Sequence, residues 1–148
     1  MHPDFEAIYN NLISLLQDDI PELCELSPSG RNYQPFPKMR KVHHFEWGFP
    51  GHGAIKKYFM IQIHFENDKE ETNLYYLNKV IVNKEKIENE TGEGVIIEEH
   101  WDPGEKYASR MYIKKDISKY GNNLLSEDFL QWAKRTTLIF YKNVNGLL

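Results

Sequence analysis

The stretch Ile55-Lys-Lys-Tyr-Phe-Met-Ile-Gln-Ile-His-Phe65 decides the fold. Ile55, Phe59, Ile61, Ile63 and Phe65 fall on one side of an extended chain, with Lys57 interrupting that side near its start. Lys56, Tyr58, Gln62, His64 and Glu66 fall on the other. Successive side chains of a strand point to opposite faces, so this period of two predicts an antiparallel strand, buried on one face and wet on the other.

Upstream, Val42–Phe49 reads as a partner strand, and Gly48-Phe-Pro-Gly-His-Gly53 supplies the turn between the two. Leu26–Pro37 holds Pro28, Gly30, Pro35 and Pro37 and reads as an irregular connection, anchored by Tyr33 and Phe36. Before it, Phe5, Ile8, Leu12, Leu15 and Leu16 draw one apolar stripe at helical spacing, which predicts a helix over 4–17. Downstream, Leu74, Leu77, Val80, Ile81 and Ile87 predict a helix over 69–90, stopped by Gly92 and Gly94. A second hairpin follows, with strands Val95–Trp101 and Tyr107–Lys115 around Asp102-Pro-Gly-Glu105. Ser126 is placed to cap a last helix, and Phe129, Trp132, Ala133, Thr136, Ile139, Phe140 and Val144 give it a wide apolar stripe.

The order is helix, hairpin, helix, hairpin, helix. It predicts an α+β fold in which an N-terminal helix precedes two ββα units, with a four-stranded, mainly antiparallel sheet and helices on one face. The strand order stays open. At 148 residues the chain fits one domain, residues 1–37 forming the helix and Pro-rich loop and 38–148 the ββαββα core. A 41% hydrophobic and 14% aromatic content is ample for a core and argues against disorder.

The N-terminus lacks the pattern of a signal peptide, and no run approaches the roughly 20 apolar residues that span a bilayer. Cys24 is the single cysteine, so neither an internal disulfide nor a multi-cysteine zinc site is available, and a reducing cytoplasm is the expected location. No membrane partner is expected. The formal net charge is −4. Between Arg31 and Lys57, however, there are six basic residues and one acid, against twelve basic and twenty-one acidic residues elsewhere. An acidic chain with one basic segment can present a local anion-binding face.

Most catalytic signatures are missing. There is no Walker A or dinucleotide fingerprint, and the glycines near Pro50 join strands instead of opening a helix onto a phosphate. There is no G-x-S-x-G elbow, and the acids around Cys24 disfavour a reactive thiolate. No Asp or Glu has lysine two positions on within a strand, as restriction-type magnesium nucleases require. No cofactor and no catalytic residue is read from the sequence.

Two constellations remain. In the first, Arg31, Lys38, Arg40, Lys41, Lys56 and Lys57 contact phosphates around the first hairpin, Tyr58 stacks on bases, and Arg110 extends the patch. In the second, His44/Glu46, His64/Glu66 and Glu98/His100 are each spaced by two. Positions i and i+2 of a strand share a face, so each pair can act together as metal ligands or as acid and base. The competing explanation is that these are ordinary polar residues of a solvated strand face.

Tyr58-Phe-Met-Ile-Gln-Ile-His64, the helix end Asn83–Gly92, Ile97-Glu-Glu-His-Trp101, Ala108-Ser-Arg-Met-Tyr-Ile113 and the helix around Trp132 together resemble a prokaryotic and phage domain of unknown function. That domain often accompanies PD-(D/E)XK-type nuclease modules. The resemblance covers about two thirds of the chain, and Ala108-Ser109-Arg110 with Tyr112 is its most distinctive piece. It implies an α+β accessory module acting on nucleic acid or on a nuclease or defence-system partner, and it supplies no catalytic residues. Three functions follow: a nucleic-acid-binding module, a protein-interaction or inhibitor domain acting through the acidic surface, or a small His/Glu metal enzyme.

Overall fold

The computed structural model describes residues 3–37, 42–51, 53–101 and 107–148. Among the described residues, four helices and five strands run in the order α1 (Phe5–Leu16), β1 (Tyr33–Phe36), β2 (His43–Gly48), β3 (Tyr58–Phe65), α2 (Glu70–Ile81), α3 (Lys84–Thr91), β4 (Ile96–Glu98), β5 (Ser109–Asp116) and α4 (Glu127–Asn145). Short 3-10 turns occupy Pro21–Glu25 and Ser118–Tyr120. The strands form one sheet, ordered β1-β2-β3-β5-β4, with every neighbouring pair antiparallel. The two expected hairpins therefore lie edge to edge through β3 and β5.

β3 is central, and its side chains alternate as the sequence predicts, but the face expected to be wet is buried too, with Met60 5%, Gln62 4% and His64 3% exposed. Phe59, Ile61, Ile63 and Phe65 are fully buried against the helices. Phe59 meets Phe49 and Phe129 at ring-centroid distances of 5.0 and 5.3 Å. From the neighbouring strand Trp47 reaches through the same layer, stacking on Tyr9 of α1 and donating its indole N–H to Thr137 Oγ1 of α4 at 3.0 Å. The terminal helices are capped by their own side chains: Asp4 accepts from Ala7 N at 3.0 Å and Ser126 from Phe129 N at 3.3 Å.

The structure corrects the expected outline in four places. The sheet has five strands, because the Pro-rich connection contributes β1, whose Phe36 is buried in the core. Proline removes one ladder donor, which an edge strand tolerates, and Pro35 lies on such an edge, opposite Glu46. The long middle helix is two helices, broken at Val82-Asn83. There the Asn83 amide donates to Asn143 O of α4 at 2.8 Å, and Val82 is left exposed. β3 starts at Tyr58 instead of Ile55, which is itself exposed. β4 is three residues long and ends at Glu98, so the strand expected to reach Trp101 stops early. Gly92 adopts a positive φ of 73° and terminates α3 as expected. The turn over 102–105 lies outside the described residues. Among the described residues no helix is long and apolar enough to cross a membrane.

Candidate functional site: the open face of the sheet

With the helices all on one side, the other face of the sheet carries the polar half of each alternation. The ladder sets His44 opposite His64, Glu46 and Tyr112 on either side of Gln62, Arg110 beside His64, and Glu98 beside Arg110. Residues from β2, β3, β5 and β4 thus meet in one row across the sheet, and the register decides who meets whom.

Gln62 is the hub. Its Oε1 accepts from Arg110 Nη1 at 3.2 Å and faces His64 Nε2 at 2.7 Å, while its Nε2 points to Glu46 Oε2 at 3.5 Å. His64 Nδ1 lies 3.1 Å from Glu66 Oε1, and His44 stands edge-on to the His64 ring with centroids 4.9 Å apart. Both imidazoles are 3% exposed, too buried for the solvated surface residues of the competing explanation. Arg110 donates to Glu98 Oε1 at 3.1 Å, and Tyr112 donates to the same oxygen. The Arg110 guanidinium also lies 4.6 and 4.5 Å from the Trp101 and Tyr112 ring centroids.

A cleft of about 180 Å³ opens on this face, with Glu46, Gln62, His64 and Arg110 on its floor and Tyr33 and Trp101 in its walls. Gly48 also lines it, and a Cβ there would sit 3.1 Å from Gln62 Nε2, crowding that amide. Arg110 Nε and Trp101 Nε1 are buried with no hydrogen-bond partner among the described residues. A buried donor left unpaired is costly and calls for an explanation, which a ligand bearing acceptors would supply.

Burial raises the Glu98 carboxyl, but the hydrogen bonds from Tyr112 and Arg110 outweigh it and hold the group below its ordinary range. Burial and the same Glu98 contact push the Tyr112 phenol up. The sign for Glu98 is that of a depressed acid. Its stabilising effect is present above the unfolded carboxylate range and is lost as pH falls through the lower folded value. Glu98→Gln is therefore expected to flatten the acid limb of the stability–pH profile. Urea midpoints measured from neutral pH down to below the carboxylate range check this, and an unchanged slope would contradict it.

The structure sorts the expected site residues. His44, Glu46, His64, Glu66 and Glu98 come together on the open face. His100 does not: it lies beyond the end of β4, and its Nε2 meets Glu70 Oε1 at 2.5 Å instead of joining Glu98. Lys56, expected to face phosphate, is 6% exposed and donates to Gly51 O at 2.9 Å, with Phe5 beneath its ammonium. The chain has left the strand there, so period two no longer decides which way the side chain points. Arg31 donates to the Tyr33 hydroxyl at 2.9 Å. Lys57 is exposed and lies over Tyr58, whose ring also meets Lys114 at 4.5 Å. Lys38, Arg40 and Lys41 lie outside the described residues.

Gln62, Trp101, Tyr112 and Lys114 belong to the face and were not singled out as site residues. Gln62, Tyr112 and Lys114 carried a signal in their strand phase, shared with His64 and Arg110. Trp101 carried none, because it enters from a segment past the end of β4.

Comparisons with protein-family models, with curated proteins and with solved structures returned no match.

Proposed function

We propose that this protein is a non-catalytic binding module that engages single-stranded nucleic acid on the open face of its sheet. The observation that carries this reading is a track of cations and aromatics along that face. Arg110 and Lys114 stand at i and i+4 on β5, and Lys57 and Lys114 flank the half-buried Tyr58 ring on the neighbouring strand. Flexible single strands bind where cations meet phosphates and aromatic rings offer stacking surfaces to unpaired bases. The two unpartnered donors at Arg110 and Trp101 fit acceptors on such a ligand. This moves the binding face from the tip of the first hairpin, where Lys56 is committed to Gly51, onto the sheet. The resemblance to nuclease-associated modules points the same way, and a nucleic-acid-processing or defence-system partner in the cytoplasm is part of this reading.

Fluorescence anisotropy with labelled single- and double-stranded DNA and RNA tests it. Single strands are expected to bind in preference to duplexes. With about three phosphate contacts, log K should fall against log salt with a slope near −2. Tyr58→Ala should weaken binding roughly 5- to 150-fold, the range of one lost stacking contact. Lys57→Glu with Lys114→Glu, both at exposed positions, should abolish binding at physiological salt. Lys56 is unsuitable for charge reversal, because a buried carboxylate against the Gly51 carbonyl would disturb the fold. Failure of all four nucleic acids to bind at low salt would end this reading.

A further inference from the structure

We propose that His44, His64 and Glu66 form a site for a single divalent transition-metal ion, with zinc the best-matched ion. The three residues each bring one ligand atom within 4.8 Å of the other two. Two imidazoles and one carboxylate suit zinc, and three protein ligands leave a fourth position for water or for a ligand atom. Tetrahedral zinc with bonds of about 2.0–2.1 Å sets its donors about 3.3 Å apart. The ligand atoms, now within 4.8 Å of one another, would draw closer on binding, and Glu66 lies one residue past the end of β3.

The hydrogen bonds around His64 supply the decisive argument. Arg110 can only donate, so the Gln62 atom it meets at 3.2 Å is the amide oxygen. That same oxygen faces His64 Nε2 at 2.7 Å, so Nε2 carries the ring hydrogen. A neutral His64 then turns the lone pair of Nδ1 toward Glu66 Oε1 at 3.1 Å, acceptor against acceptor. A proton, on the ring or on the carboxyl, or a metal ion between them relieves this contact. His44 distinguishes the two. Its ring abuts His64, it is 3% exposed, and its Nε2 has no hydrogen-bond partner among the described residues, the nearest carboxylate oxygen being that of Glu46 at 3.7 Å. A proton in that contact does nothing for His44, whereas a metal ion gives both rings a role.

The surroundings have the form expected of a built site. A metal-bound histidine almost always donates its other ring N–H to an oxygen that fixes the ring. Gln62 does this for His64, and Arg110 and Glu46 hold Gln62 in turn.

Cobalt(II) is the probe, because its visible absorption reports a four-coordinate site, with zinc as competitor and metal retained after dialysis as the count. The full chain is expected to take up one cobalt ion, displaced by one zinc ion. Glu66→Gln, at a half-exposed position that does not threaten folding, should weaken binding by at least about 10-fold. Gln62→Leu, a positioning change that leaves all three ligands in place, should weaken it about 10- to 100-fold. His100→Ala, outside the cluster, should change nothing. Circular dichroism and thermal melts without metal establish that each variant is folded. No retained metal, or binding untouched by Glu66→Gln, would overturn the proposal and leave the cluster a hydrogen-bonded His64–Glu66 pair. Since the readout uses metal alone, it stands or falls separately from nucleic-acid binding.

Discussion

Trp47→Ala is expected to lower the free energy of unfolding by about 3–5 kcal/mol, the range for truncating a large buried aromatic. Trp47 is fully buried, and its contacts tie four elements of one face together. Its ring stacks on Tyr9 of α1 at 6.2 Å and meets Phe36 of β1 at 4.8 Å, and its indole N–H is bonded to Thr137 of α4. Alanine would leave a cavity between β2 and two helices and strand the Thr137 hydroxyl in an apolar layer. Equilibrium urea unfolding should show a lower midpoint with an unchanged m-value. Thr137→Val, which keeps the volume but orphans the indole donor, should cost about 1–3 kcal/mol. A Trp47→Ala midpoint within error of the parent would mean that the terminal helices do not pack as described.

Asn73→Leu is expected to cost about 3 kcal/mol, although it places an apolar residue at a fully buried helical position. By hydrophobicity alone the change should be favourable. The Asn73 amide, however, accepts from Asn67 N at 2.7 Å and donates to Asn67 O at 3.1 Å and to Tyr107 O at 2.9 Å. It fastens the exit of β3 and the entry of β5 to the first turns of α2. Leucine would leave these backbone groups without their partner, and each unmade bond costs about 1–3 kcal/mol when water cannot replace it. Hydrogen exchange should localise the damage, with protection lost first at Asn67 and around the start of β5. A stabilised Asn73→Leu variant would contradict this role.

These two residues also mark how far the sequence could be read. Trp47 sits in phase with Phe45 on a strand that the alternation predicts, so its burial follows from pattern. Asn73 has no such signal: an asparagine on the inward stripe of a helix reads as a polar interruption until its partners, 6 and 34 residues away in the chain, are known. The same division runs through the candidate site. Period two placed His44 with Glu46, and His64 with Glu66, on a common face of their strands. It did not tell that β2 and β3 would pair His44 with His64, or that β5 would bring Arg110 to the Gln62 that orients His64.

The sequence by itself determined the α+β class, the two hairpins, the cap at Ser126, the stop at Gly92 and the inward face of the central strand. These rest on interactions within a few residues along the chain, where side-chain periodicity and turn chemistry act directly. Tertiary structure alone decided the fifth strand, the break at Asn83, the burial of Lys56, the pairing of β3 with β5 and the gathering of the histidines and Glu66. Each depends on contacts between segments far apart in the chain, and antiparallel register, which sets every cross-strand neighbour, is fixed only when the strands meet.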